Sequence, residues 1–290
     1  MSNIEQEANS AFVIGWPVEH SRSPILHGYW LKYLKIPGTY EAVAIAPEKI
    51  ETFIKLLPKS GFTGGNVTVP HKEAVYRLVD HRDEIANVLG AVNTVWLENG
   101  KVHGTNTDGY GFCANLDSFV PKWRQGKTAV VLGAGGASRA IIYALGKAKY
   151  SKIHIINRTL ARAKAIAEEF CPHLEADLMP QNWEDAPNLL GKADLLVNTT
   201  SIGMDDSDEF PLDLSNLKQQ AIVTDIVYTP LLTPLLKAAK AKGYETVDGL
   251  GMLLHQAAPG FEKWFGTRPN ITPALRDYIL SDLTKKVPHK

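Results

Sequence analysis

Cysteine is nearly absent, with Cys113 and Cys171 the only two in a chain of 290 residues. Two cysteines lay down no disulfide framework. Neither stands near a His or Asp pattern with metal-ligand spacing, which sets aside thiolate and zinc chemistry and predicts no metal site. An excess of either charge is also lacking, since 31 basic and 31 acidic side chains cancel. Nucleic-acid surfaces show a basic excess, so no such partner is expected. No apolar run approaches the roughly 20 residues of a membrane span, and no membrane partner is expected either. The opening MSNIEQEANS is polar and acidic, without the basic start or apolar core of a signal peptide. It reads as a loose tail over residues 1–10, and with the scarce cysteine it points to a reducing, cytoplasmic setting. What remains is ordinary globular composition, 44% hydrophobic and 21% charged, over a length that suits about two domains.

From Ala11 onward, short β-branched runs alternate with helical patterns, as in α/β folds built on mostly parallel sheets. Strands are expected at 11–15, 39–45 and 64–69, and runs at 91–97 and 101–106 flank Asn99-Gly100, a type I′ hairpin signal that makes the first sheet mixed. Helices are expected from Ser23, with Ser23 as N-cap and Pro24 in the first turn, after Pro47, and from Pro70. Residues 118–126 read as a connection. The second half opens with a buried strand, a glycine turn and a long helix over 128–149. Strands at 152–158, 194–200 and 221–228 and a helix from Thr159 follow, so five or six strands build a doubly wound domain. The stretch after Gly249 is helical in pattern.

Gly133-Ala134-Gly135-Gly136-Ala137-Ser138 lies between a strand and a helix. A phosphate needs close backbone approach and the free N–H groups of a helix start, and glycines permit both. A tight turn alone also uses glycine; the strand–turn–helix context favours a dinucleotide and a Rossmann-type domain. At the end of the next strand, enzymes that take NAD carry an acidic residue for the ribose hydroxyl. Asn157-Arg158-Thr159 stands there instead, with Arg162 four residues after Arg158 on the same helix face. Two solvated arginines are the plain alternative, but a guanidinium pair at this place suits a 2′-phosphate and favours NADP over NAD.

In the first half, Asn66 and Thr68 alternate with Val67 and Val69, so the two polar side chains share a strand face. Lys72 falls in the first turn of the following helix, where the macrodipole disfavours a positive charge. Plain solvation accounts for such a lysine, and so does a role in proton exchange. Asp108, in Asn106-Thr107-Asp108-Gly109, suits an Asx turn or helix cap and also suits a partner for Lys72. Asn93 is a polar residue in the 91–97 strand. Ser23 is a plain cap by default, but Ser21 and Ser23 together beside helix N–H groups would hold a carboxylate. His27, His103 and His255 read as packed or solvated.

GWPVEHSRSP (15–24), NVTVPHKE (66–73), AVNT (91–94), NTDG (106–109), GAGGAS (133–138), NRT (157–159) and DGLGMLLHQA (248–257) together resemble the shikimate dehydrogenase family, in order from Phe12 to about Phe265. The resemblance implies a reversible, NADPH-dependent reduction of 3-dehydroshikimate to shikimate in aromatic amino-acid biosynthesis. It implies Ser21 and Ser23 on the substrate carboxylate, Asn66, Thr68, Asn93 and Asp108 on the ring hydroxyls, Lys72 as acid/base, and Gln256 as a further substrate contact. Gly133, Ala134, Gly135, Gly136, Ala137, Asn157, Arg158, Thr159 and Arg162 fall to the cofactor. Tyr228 matches a position near substrate, and Ile226 and Gly249 positions near nicotinamide; the segment 226–230 is the loosest of the matches. The implied organisation is a mixed-sheet substrate domain over 1–107, completed by returning C-terminal helices at 250–290, and an NADP domain over 108–249. A monomer or homodimer is expected.

Three rivals remain open. One is a quinate/shikimate dehydrogenase paralogue using NAD or NADP, against which Arg158 and Arg162 argue. Another is a two-domain dehydrogenase for a folate or aminoacyl substrate, which would not need the Ser21–Ser23 and Asn106–Asp108 motifs. The third, a non-catalytic ligand-sensing relative, would be marked by loss of Lys72 or Asp108, and both are present.

Overall fold

Strand β1 (Asn9–Gly15) buries Ala11, Phe12, Val13 and Ile14 because it runs inside a sheet, between β2 (Gly38–Ala44) and β3 (Phe62–Val67) and parallel to both. The computed structural model to which it belongs describes residues 8–204 and 209–284. Beyond β3 lie β4 (His81–Arg82), β5 (Thr94–Glu98) and β6 (Lys101–Thr105), in the order β2-β1-β3-β5-β6-β4. β5 is antiparallel to both β3 and β6, which makes the sheet mixed. Asn99 and Gly100 join β5 to β6 at φ 53° and 73°, the left-handed pair a type I′ turn requires.

Local corrections follow from hydrogen bonding. Ser10 pairs with Thr39 and Phe62, so residues 9 and 10 belong to the sheet; residues 1–7 of the expected tail lie outside the described residues. Ser23 does not cap its helix: the N-cap of Ser23–Leu34 is Arg22, and the Ser23 N–H donates to Ser21 Oγ at 3.3 Å. β3 ends at Val67 rather than running to Val69, because the Thr68 carbonyl turns to accept from His71 N–H at 2.9 Å. The next helix, Lys72–Leu78, therefore begins two residues later than Pro70. Asn93 precedes β5 instead of lying within it.

The chain divides into two compact units, one from the N-terminal residues through Thr107 together with Gln256 onward, the other Asp108–His255. The second holds β7 (Thr128–Leu132), β8 (Lys152–Asn157), β9 (Asp177–Asn182), β10 (Leu195–Asn198), β11 (Ile222–Asp225) and β12 (Glu245–Val247). Their order is β12-β11-β10-β7-β8-β9, all parallel, and it reverses direction between β7 and β10. Ligands of doubly wound sheets sit at the carboxyl ends of the strands at that reversal. β9 and β12 carry no apolar alternation: β9 is an edge strand that tolerates Pro180, and β12 is three residues long. Residues 118–126 are more ordered than a connection, with the helix Asp108–Phe119 followed by a 3₁₀ turn, Pro121–Gln125, that buries Trp123.

In the first unit the C-terminal residues pack on the mixed sheet. The Trp264 indole is buried and donates to the Val95 carbonyl at 2.8 Å, passing over Gly64 where a β-carbon would strike both groups. Arg22 pairs with Asp282 of the helix Pro273–Leu283 at 3.0 Å. Next to Gly64, Gly65 faces the Phe12 carbonyl and ring so closely that an added methyl overlaps backbone. Gly65→Ala should therefore destabilise by ~1–3 kcal/mol. Gly28→Ala, in a helix with nothing within 4 Å of the new carbon, should instead stabilise by about 0.5–1 kcal/mol. Urea unfolding of both variants measures the contrast, and equal midpoints would refute the packing account.

Candidate functional site

Strand ends in the first unit gather a buried polar chain. The Tyr40 hydroxyl donates to Asn66 Oδ1 at 2.6 Å, and Asn66 Nδ2 donates to the Asn93 carbonyl at 3.2 Å and to Thr94 Oγ1 at 3.3 Å. Thr94 in turn donates to Asn93 Oδ1 at 2.8 Å, which also accepts from Thr107 N–H at 2.9 Å. Asn93 Nδ2 donates to Thr107 Oγ1 at 3.1 Å, and that hydroxyl donates to the Gln256 carbonyl at 2.8 Å. Asn66, Thr94, Asn93 and Thr107 each give and receive, so both asparagine amides have a defined orientation. His27 stacks flat on Tyr40, 4.0 Å between centroids and 15° between planes. Burial pushes its imidazole down to about 3, so it is neutral at physiological pH, and burial holds the Tyr40 phenol well above its usual range.

Around this chain stand the other expected substrate residues of the first unit. Lys72 is half-buried and opens its helix, and its carbonyl accepts from Val92 N–H at 3.0 Å, directly before Asn93. Thr68 is held beside β1, its N–H donating to the Ile14 carbonyl at 2.9 Å. Ser21 and Ser23 sit together at the start of Ser23–Leu34. Gln256 joins through its backbone bond to Thr107. Asp108, half-buried, opens the helix Asp108–Phe119 of the second unit, immediately after Thr107 in the chain. Tyr40, His27, Thr94 and Thr107 were not legible as site residues. A buried hydroxyl shows itself only once its partners from distant segments are known.

In the second unit, a cavity of about 750 Å³ opens at the carboxyl ends of β7, β8 and β10, within the size range of small-molecule sites. Gly133, Ala134 and Gly135 form its floor, Asn157, Arg158 and Arg162 one wall, and Thr199–Ile202 the other. Gly133 takes φ 110°, and a β-carbon there would strike Thr199 Oγ1, so only glycine fits. The Ala134 N–H donates to Asn157 Oδ1 at 3.2 Å, tying the turn to the end of β8. No side chain caps the helix Gly136–Lys147, which leaves its first-turn N–H groups for an anion. The glycine floor, the uncapped helix and two guanidinium groups on one wall fit a dinucleotide with a 2′-phosphate.

Gly136 and Ala137 belong to the helix start and Thr159 to the cap of Leu160–Phe170, all outside the cavity's lining. Ser138, at the third-glycine place of the turn, is fully buried, as helix–strand packing demands. Ile226 and Gly249 come together, since a β-carbon on Gly249 would overlap the Ile226 carbonyl, and Tyr228 lies half-buried nearby in sequence. Trp183, Thr199–Ile202 and Pro211 line the cavity without having been legible beforehand.

Comparison with known proteins gives three family models in order along the chain: shikimate dehydrogenase substrate binding domain over residues 13–95, shikimate/quinate 5-dehydrogenase over 118–205, and shikimate 5′-dehydrogenase C-terminal domain over 249–276. A shikimate dehydrogenase (NADP(+)) of Brucella abortus is 52% identical over 278 residues, covering 95% of each chain. Among solved structures, the shikimate 5-dehydrogenase of Thermus thermophilus in complex with NADP(H) and shikimate is 36% identical with a TM-score of 0.82, covering 95% of this chain and 99% of that one. The quinate dehydrogenase of Corynebacterium glutamicum in complex with NAD is 32% identical with a TM-score of 0.87, over 94% and 99% of the two chains. By these models and this identity, the chain belongs to the shikimate dehydrogenase family.

Proposed function

We propose that this chain catalyses the reversible, NADPH-dependent reduction of 3-dehydroshikimate to shikimate, with the cofactor held by the second unit. The observation that carries the reading is the shared cavity of the glycine turn, Arg158 and Arg162. NADPH, when bound, supplies the hydride, and the protein supplies orientation and charge. In this reading Ser21 and Ser23 hold the substrate carboxylate. Asn66, Thr68 and Asn93 hold hydroxyls, Gln256 is a further substrate contact, and the hydrogen-bonded chain from Tyr40 to Gln256 supports this by orienting both asparagines before substrate arrives. Lys72 gives a proton to the carbonyl oxygen and takes it back in oxidation, with Asp108 holding a hydroxyl and orienting the lysine. Tyr228 completes the substrate residues, and Ile226 and Gly249 complete those for the nicotinamide. The reading places the chain in the cytoplasm as a monomer or homodimer.

Lys72→Ala should lower kcat by about 10²–10⁴-fold, the usual worth of a general acid–base, with a smaller rise in KM for shikimate. Asp108→Asn should also be severe, and the double variant little worse than Lys72→Ala, since groups acting as one device are non-additive. Steady-state kinetics of all three at 340 nm decide, and near-wild-type kcat in Lys72→Ala at every pH would end the proposal.

Replacing Arg158 and Arg162 by Gln should weaken NADP strongly and leave NAD nearly untouched. Each charge-assisted bond to the 2′-phosphate is worth about 1.5–3 kcal/mol. Titration with both cofactors tests this; equal losses would make the arginines structural and reopen the NAD-using quinate reading.

A further inference from the structure

The wall of the cofactor cavity from Thr199 to Ile202 is loop, yet it is tied down by side chains that none of the chemistry above uses. Asn198 and Asp225 are the last residues of β10 and β11, register partners, and at most 1% exposed. Asn198 Nδ2 donates to Asp225 Oδ1 at 3.0 Å and to the Ile202 carbonyl at 3.1 Å. Its oxygen accepts from the Thr200 N–H at 3.1 Å and the Thr200 hydroxyl at 2.7 Å, and that hydroxyl accepts from Ile202 N–H at 3.1 Å. On the other side, Asp225 Oδ1 accepts from Val227 N–H at 3.0 Å and Oδ2 from the Thr233 hydroxyl at 2.7 Å. Two loops, 199–202 and 226–228, thus hang from one pair.

The pair has a polarity. An ionised carboxylate only accepts, so Asn198 must turn its amino group toward Asp225 and its oxygen toward Thr200. Reversed, the amide would present hydrogens to the Thr200 N–H and leave the Ile202 carbonyl without its donor. Burial raises the Asp225 carboxyl above its ordinary range, and the groups that meet it, Asn198, Val227 and Thr233, are all uncharged. Burying a lone carboxyl is costly unless donors offset it, and here three do. A hydrophobic pair at these strand ends would spare that cost but could not dictate the path of Thr199–Ile202.

We propose that Asn198 and Asp225 are positioning residues for the cofactor: the carboxylate orients the Asn198 amide, and the amide holds Thr199–Ile202 in the form that binds NADP. This rests on the NADP reading of the cavity. Three variants in the full chain, titrated with NADP at pH 8 and pH 5.5 and compared with wild type at each pH, test it. Asn198→Ala should weaken NADP tenfold or more at both pH values while kcat, with both substrates saturating, stays within threefold. Asn198→Asp sets two carboxylates against each other and one against the Ile202 carbonyl. Its deficit should be tenfold or more at pH 8 and no larger at pH 5.5, because a proton shared by the two carboxyls restores a donor toward Asp225 but not one toward the Ile202 carbonyl. Asp225→Ala, which removes the acceptor that turns the Asn198 amide, should also weaken NADP tenfold or more at both pH values, and undiminished affinity there removes Asp225 from the role. A wild-type chain that fails to bind NADP overturns the cofactor reading. Wild-type binding with Asn198→Ala or Asn198→Asp at undiminished affinity overturns the positioning role alone.

Discussion

In a parallel strand buried on both faces, polar side chains find partners most readily where the strand ends, and the chemistry of this chain is arranged around that restriction. β7 and β10 are almost wholly apolar until Gly133 and Asn198, and β8 and β11 run apolar or nearly so until Asn157 and Asp225. Gly133 and Asn157 line the cavity, Asn198 holds a loop that does, and Asp225 holds Asn198. In the mixed sheet, Asn66 stands one residue before the end of β3 and Asn93 one residue before the start of the antiparallel β5, so the Asn66 side chain reaches the Asn93 carbonyl and the Thr94 hydroxyl joins the two amides.

Bringing polar groups to a buried edge exposes them to a penalty of about 1–3 kcal/mol for each left unsatisfied. The two units meet it in different ways. In the first, the chain from Tyr40 through Asn66, Thr94, Asn93 and Thr107 to Gln256 links neutral groups, the inner four acting as both donor and acceptor. In the second, a carboxylate anchors the network and gives it direction. Neutral chains orient side chains with little charge cost and suit a pocket for a polyol. The anchored network governs backbone loops, as a long dinucleotide requires.

Glycine serves the same edges by allowing close approach. Gly133 admits Thr199 and the cofactor's path, Gly249 admits the Ile226 carbonyl, and Gly64 lets the Trp264 indole reach the sheet. The first lies on the floor of the cavity, while the third fastens the C-terminal helix within its own unit. A β-carbon at Gly64 or Gly249 pushes against backbone, which cannot yield cheaply, and one at Gly133 strikes the Thr199 hydroxyl at a backbone conformation that L side chains rarely adopt.

Local chemistry was enough to read the α/β class, the Asn99-Gly100 hairpin, the strand–turn–helix at Gly133 and the place of Arg158 and Arg162, because each depends on a few consecutive residues and their allowed dihedrals. Seven short motifs in order carried the family and the catalytic assignment of Lys72 and Asp108. The stop of β3 at Val67 and the capping of the Ser23 helix by Arg22 were not legible, since each depends on which competing hydrogen bond wins. β9 and β12 were hidden because an edge strand or a three-residue strand needs no apolar pattern. Asn198 and Asp225 bond across 27 residues of chain, and Thr107 and Gln256 across 149. Sequence supplies the polar groups, but the ends of strands brought side by side decide which of them meet, and a hydrogen bond of about 3 Å exists only after that meeting.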